Sequence, residues 1–381
     1  MSRKQLGALF VGTLIPYFTG SALVSLLPIY SQTLGADTSS AGLYLGLIFG
    51  ALAVSTLLSG TLSDHFQHRK QFIILSACLN FACVYLMGQT DDFRVLTLLT
   101  MVVWFCGGIT LSMLMILTGM YAPPAQRGRI FGVVVAAASV AQLIGGFVSG
   151  RIVDRWGYEA LFTVVALSHI ILLASAILLE DRQVERSPSA SAATAPIPAS
   201  VSWLTLASLL INTASFCIGL GLVLAMSDRK FDATTITTTS VIAGLALLPL
   251  PYVWGWLSDH VGRRELLAIS YLGPVAAALV LANAGELWQF WLVAPVAGIA
   301  SSSNSVAQAL VTDLAAADTL GRSLGRFSAA AWIGGVFGYI GGGAVLERLG
   351  VQATFTVAAL LPFIAILILM TQSKPPLPQQ A

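Results

Sequence analysis

Apolar runs divide almost the whole chain. Twelve of them approach the roughly 20 residues that a helix needs to cross a bilayer. The first six are Leu6–Tyr30, Ala41–Leu62, Gln71–Gly88, Val95–Met120, Ile130–Gly150 and Leu161–Leu179. The second six are Val201–Met226, Ile236–Leu257, Leu266–Ala284, Leu287–Thr312, Phe327–Leu346 and Val351–Met370. No Asp, Glu, Lys or Arg falls inside any run. The cost of a charge in hydrocarbon accounts for that exclusion. The runs are too long and too continuous for the alternating pattern of a membrane barrel. An all-α, multi-pass membrane protein is expected.

Composition agrees. Of 381 residues, 56% are hydrophobic and 9% charged, where soluble domains carry about 25%. A net charge of +2 supplies no basic stripe, so nucleic acid is excluded as a partner. Cys78, Cys83, Cys106 and Cys217 lie inside apolar runs without CxxC spacing or a neighbouring His, which points to no metal and no cofactor. The basic start, Arg3 and Lys4, precedes a run too long for a signal peptide and reads as a retained first span.

The charges in the loops give an orientation. With the N-terminus inside, Arg3, Lys4, Arg69, Lys70, Arg127, Arg129, Arg182, Arg186, Arg263, Arg264, Arg322, Arg326 and Lys374 face the cytoplasm. Arg94, Arg151, Arg155, Arg229, Lys230 and Arg348 face the other side. Thirteen against six places both termini in the cytoplasm. From Asp181 to Ser200 the chain reads DRQVERSPSASAATAPIPAS, a charged and then Ser/Ala/Pro-rich linker that separates the runs six and six. The expected organisation is a bundle over 1–180, a cytoplasmic linker over 181–200, a second bundle over 201–372 and a disordered tail over 373–381.

The two halves repeat. GTLSDHFQHRK (Gly60–Lys70) and GWLSDHVGRRE (Gly255–Glu265) are offset by 195 residues. Gly128, Arg129 and Gly132 match Gly321, Arg322 and Gly325 at an offset of 193. Gly150, Asp154, Gly157 and Phe162 match Gly343, Glu347, Gly350 and Phe355 at the same offset. The Gly-x-Leu-Ser-Asp loop with its basic pair resembles the signature loop of the major facilitator superfamily, in general character its bacterial drug-efflux-type members. The resemblance covers nearly the whole chain. It implies two pseudo-symmetric six-helix bundles rocking about a central cavity lined by spans 1, 4, 7 and 10, with spans 3, 6, 9 and 12 outside.

Gly60, Asp64, Arg69 and Lys70, with Gly255, Asp259, Arg263 and Arg264, then form a candidate gating motif. The glycines permit close helix approach. Each carboxylate can meet a basic side chain or a helix N-terminus in one rocking state only, and so bias the equilibrium without touching substrate. Asp154 and Glu347 read equally well as outer braces or surface charges. The candidate cavity residues are Tyr17, Trp104, Gln142, Asn212, Asn304, Gln308 and Trp332. Span 1 carries Thr13, Tyr17 and Ser21 as one polar stripe; each amide reads equally as an interhelical hydrogen bond. His169 reads as a packing residue on a peripheral span. Pro249, Pro251, Pro274 and Pro295 interrupt the second-half helices.

Departures from the family bear on coupling. Many drug/proton antiporters carry an Arg in span 4 near a Gly, where alignment on Gly108 puts Trp104 here. Their Gly-Pro-x-x-Gly-Gly in span 5 reads Ala141–Gly146, AQLIGG, with Gln142 in place of proline. Span 1 has no carboxylate. Proton coupling would have to fall on Asp64, Asp313, His169 or the outer acids. The reading is a non-enzymatic, monomeric secondary transporter in the bacterial inner membrane, contacting lipid and exporting a small neutral or amphipathic molecule. Uptake of a neutral solute such as a sugar stands as the alternative within transport, and a non-transporting sensor as the alternative outside it.

Overall fold

The computed structural model describes residues 2–66, 68–121, 127–181, 197–315 and 320–371. They form helices α1 (Arg3–Leu23), α2 (Leu27–Thr33), α3 (Thr38–Phe66), α4 (Arg69–Met87), α5 (Phe93–Tyr121), α6 (Arg127–Leu178) and α7 (Ala199–Asp228). There follow α8 (Ala233–Leu247), α9 (Leu250–Val261), α10 (Arg263–Ser270), α11 (Leu272–Ala282), α12 (Leu287–Ser302), α13 (Asn304–Leu314) and α14 (Leu320–Thr371). Among the described residues there is no strand, and eight helical stretches are long and apolar enough to cross a membrane. Most of the segment read as linker, 182–196, and the tail, 372–381, lie outside the described residues.

Two compact units result. One takes Met1–Arg186 with Leu220–Leu245, the other Ser187–Gly219 with Ala246–Ala381. In the first, α1 and α4 pack on α6, and α3 and α4 on α5. Its core joins Leu9, Ile73, Met113, Leu114, Leu117, Val134 and Leu172. In the second, α11 packs on α12 and α14, around a core of Leu204, Ile211, Leu266, Leu267, Tyr271, Val311, Phe327 and Leu369. Apolar side chains also cover outward faces, such as Leu75, Leu79 and Leu86 on α4 and Leu360, Phe363 and Leu367 on α14. In water that exposure would be unfavourable; facing lipid tails it is neutral.

Glycine stripes set the closest approaches. On α14, a Cβ at Gly334 would lie 2.8 Å from the Leu209 carbonyl, and one at Gly342 would lie 2.9 Å from Cys217 Sγ, so the stripe Gly334–Gly338–Gly342 admits α7. On α6, a Cβ at Gly150 would lie 2.5 Å from the Ala233 carbonyl, so only glycine lets α8 come so near.

The internal repeat is visible in the backbone. Gly157 (φ 80°, ψ 177°) breaks α6 and Gly350 (φ 78°, ψ −178°) breaks α14, both in a region open essentially to glycine alone. A further match extends the three found in the sequence. After α2, Ala36 N–H donates to Ser31 O and Gly35 N–H to Gln32 O; after α7, Phe231 N–H donates to Met226 O and Lys230 N–H to Ser227 O. Both are Schellman closures with a left-handed residue, at an offset of 195. Gly35 fills that place in one copy and Lys230, at φ 63°, in the other. Asp37 then caps α3 through Ser40 N–H (2.6 Å), and Asp232 caps α8 through Thr235 N–H (2.8 Å).

The proline expectation needs one correction. Pro249 caps α9 and Pro251 sits in its first turn. Pro274 is near the start of α11, where its ring opposes the Ser270 carbonyl four residues back and α10 ends. Pro295, however, stays inside α12, and the break comes at Ser303. There Ser301, Ser302 and Ser303 donate in turn to the carbonyls of Gly298, Ile299 and Ala300, each three residues back. Side-chain hydroxyls competing for helix carbonyls bend a helix.

Candidate functional site

In the second unit, a small polar notch of about 80 Å³ opens between α7, α13 and α14. Its lining includes Ser208, Asn212, Ser215, Ser301, Asn304 and Phe327. Asn212 Nδ2 donates to Ser208 O at 2.8 Å, which fixes the amide and leaves its oxygen as an acceptor. Gly334 sits against Asn212 Cβ, so the α14 glycine stripe also sets the depth of this amide. Two of the expected cavity residues, Asn212 and Asn304, are thus brought together. Gln308 is exposed one turn further along α13, and Trp332 is half-buried next to Ala331, which does line the notch.

In the first unit the expected residues do not gather in this way. Tyr17 is half-buried beside Pro16, Trp104 is buried in α5, and Gln142 is exposed on α6. Of their polar neighbours, Ser21 donates across to the Ala141 carbonyl at 2.9 Å and serves as interhelical glue. His169 is buried with Nδ1 3.0 Å from the Val165 carbonyl of its own helix, consistent with packing.

The basic pairs of the repeated loop hold helix ends. Arg69 Nε donates to Ser63 Oγ at 2.7 Å, and its guanidinium lies 3.7 Å from the Asp181 carboxylate. Lys70 N–H donates to Asp181 at 2.9 Å, while its Nζ caps the carbonyls of Ile177 and Leu179. In the second copy Arg264 donates to the Met370 carbonyl. Ile177 and Met370 are themselves repeat-mates at an offset of 193. A cation on the last carbonyls of a helix is favourable by charge and by hydrogen bonding. Arg263 pairs instead with Asp313 and reaches the Ala309 carbonyl. The expectations on Asp64, Gly255 and Asp259 fall on side chains outside the described set, as do those on Gly128, Arg129, Gly132, Gly321 and Arg322. Gly60 is in α3, and among the described residues nothing from a neighbouring helix lies within 4 Å of an added Cβ, so the close helix approach expected there is not made.

Asp154 has a defined task. Its two oxygens accept from Ala233 N–H (3.0 Å) and Thr234 N–H (2.8 Å). With Thr235 N–H held by the Asp232 side chain and Ile236 N–H by the Asp232 carbonyl, all four leading amides of α8 are satisfied. Tyr158, nearby, has its phenol pushed up to about 12 by burial, then by Asp154 and Tyr30, and stays neutral. Of the two readings open to Asp154, an outer brace or a surface charge, the amide pair favours the brace, in the form of a helix cap.

These features define a polytopic membrane protein built from a duplicated helical unit with a polar, uncharged notch in one half. The sequence model of the Major Facilitator Superfamily matches residues 9–204 and 204–381, and the chain belongs to that family. It is 24% identical over 373 residues to "Multidrug resistance protein MdtG" of Serratia proteamaculans, covering 93% of this chain and 90% of that protein. It is 23% identical over 363 residues to "Multi-drug resistance efflux pump PmrA" of Streptococcus pneumoniae, covering 90% of each. Among solved structures, a POT family transporter in complex with 5-aminolevulinic acid superposes with a TM-score of 0.80 at 11% identity, covering 96% of this chain and 94% of that one. The chain is therefore a multi-pass integral membrane transporter of small molecules.

Proposed function

We propose that the protein exports small neutral or amphipathic molecules by alternating access, crossing the bacterial inner membrane twelve times with both termini in the cytoplasm. Residues 1–180 and 201–372 then act as the two bundles, joined by the linker over 181–200. The observation that carries the substrate class is the notch between α7, α13 and α14, whose amides and hydroxyls offer hydrogen bonds but no charge. The relatives named as a multidrug resistance protein and as a multi-drug resistance efflux pump, matched over most of their length, support the direction. Gating falls to the capped loops, with Asp154 holding the start of α8 on the outer side and Arg69, Lys70, Arg263 and Arg264 fastening helix ends on the inner side. Asp64 and Asp259 keep their proposed part in the same switch.

A proton is the coupling ion to test. Asp313, one of the acids open to that role, is ion-paired with Arg263. Flux of a panel of neutral and cationic amphiphiles from proteoliposomes, with and without a pH gradient, tests the proposal. Export of a neutral compound that falls about tenfold when Asn212 or Asn304 becomes Ala supports it, one lost hydrogen bond to substrate being worth roughly that factor. Equal flux by wild type and both variants would remove the notch from the substrate path. Downhill uptake of a sugar, unaffected by the gradient, would replace export with facilitated uptake; the same amides and hydroxyls suit that solute.

A further inference from the structure

A second concavity, about 560 Å³, lies in the first unit between α6 and the start of α8. It is lined by Phe147, Val148, Arg151, Ile152, Asp154, Arg155, Trp156 and Thr234. Two guanidiniums stand at its rim. Arg151 lies 3.8 Å over the Phe147 ring and donates to the Phe147 carbonyl, so it is already ordered. Arg155 is exposed, 5.9 Å from the Trp156 ring. Two guanidiniums against one carboxylate, Asp154, leave the groove net positive, and both Asp154 oxygens are already engaged by α8 amides.

Its place along the helix matters as much. Arg151 follows directly on the last residue of the apolar run Ile130–Gly150, and Trp156 comes five residues later. This is the depth at which Arg and Trp mark the boundary between tails and headgroups. Below Arg151, Val140, Ile144 and Phe147 are all exposed on one helix face at spacings of four and three, an apolar track leading up to the cation. Phe147 is 53% exposed and Trp156 65%, large for rings that the unit's own packing does not require.

The repeat shows that the scaffold alone does not call for these residues. At an offset of 193, Asp154 is matched by Glu347 and Arg155 by Arg348, but Arg151 is matched by Ala344 and Trp156 by Leu349. The frame of the loop is kept, while the second cation and the aromatic occur in one copy only.

We propose that this groove is a binding site for an anionic phospholipid, the phosphate held between Arg151 and Arg155, the glycerol region against Trp156 and one acyl chain along Phe147, Ile144 and Val140. Guanidinium forks match a phosphate in shape and charge. Because Thr234 and Asp154 share the wall, a bound lipid borders the cap that holds α8.

The test is native mass spectrometry of the purified full-length protein released from nanodiscs of dioleoylphosphatidylglycerol mixed equally with dioleoylphosphatidylcholine. Wild type is expected to retain phosphatidylglycerol in preference, and Arg151→Gln with Arg155→Gln to reduce that retention about tenfold, as two exposed and solvent-screened ionic contacts are lost. Arg348→Gln, the repeat-mate, is expected to leave it unchanged. Arg151→Ala alone, which copies the natural Ala344, provides a gentler variant should the double change not fold, and should lower retention by a smaller factor. Equal retention of both lipids by wild type, undiminished preference in the Arg151 and Arg155 variants, or an equal loss in Arg348→Gln would each overturn the proposal.

Discussion

The helices after the first repeated loop and those after the second start from matching sequence and end differently. α4 and α5 run unbroken for 19 and 29 residues. Their counterparts are broken, α10 from α11 at Tyr271 and α12 from α13 at Ser303. The breaks are tied together: Ser270 and Ser303 share a buried hydrogen bond of 2.8 Å, and Trp254 donates to Ser302 at 2.7 Å. At an offset of 193, the place of Ser301–Ser303 in α5 is held by Gly108, Ile109 and Thr110, and the helix passes through. Duplication preserved the ends of the halves, including the glycine breaks at Gly157 and Gly350, while the middle of one half became jointed. The polar notch lies against those joints, lined by Tyr271, Ser303 and Asn304. The proposed substrate contacts and the helix bend therefore fall on the same few residues.

The largest effect is expected from closing the joint. Replacing Ser302 and Ser303 with Ala removes two hydrogen bonds between helices, at about 1 kcal/mol each, together with the hydroxyls that compete for helix carbonyls. The apparent melting temperature should fall, transport should drop several-fold, and amide exchange around Ser303 should slow as the helix straightens. Unchanged exchange would show that something other than the serines makes the break. A smaller effect, of opposite sign in the two copies, is expected from exchanging the left-handed residues. Lys230→Gly should stabilise by about 1 kcal/mol and Gly35→Lys should destabilise by a similar amount, read as opposite shifts in melting temperature. Equal signs would break the equivalence of the two loops.

The smallest effect concerns acid. Asp37 is held below its ordinary carboxylate value of 3.8 by the Ser40 backbone N–H and then the Ser40 hydroxyl. A lowered value in the folded state means the cap stabilises fully above that ordinary value and is lost as pH falls through the lowered one. Exchange protection at the start of α3 should stay flat from about pH 8 to 5 and decline only in strong acid. A decline near neutrality would point to another group.

Much of this was legible in the chain because hydrocarbon enforces it: the apolar runs and the loop charges between them follow from solvation alone. The partner of Arg69 was not, since Asp181 lies 112 residues away and a sequence shows which charges exist without showing which ones meet. The joint at Ser303 had a signal in three adjacent serines, but Pro295 drew the expectation instead, although a membrane helix can accommodate a proline without breaking. The loop repeat around Gly35 was concealed because Lys230 replaces the residue whose identity the turn normally demands. Asn212 and Asn304 are candidates because the family resemblance puts spans 7 and 10 on the cavity, whereas their convergence on one notch depends on how closely the α14 glycines admit α7.

The Asp154 cap has a consequence for genetics. Its partners are backbone amides, so it has no side chain with which to exchange sign. An ion pair can be inverted and rescued by a second mutation of opposite charge; this contact has no such reciprocal. A search for suppressors of a charge-reversed residue 154 would find none at Ala233 or Thr234. Recovery would instead come from elsewhere, through changes that alter how readily α8 leaves its cap.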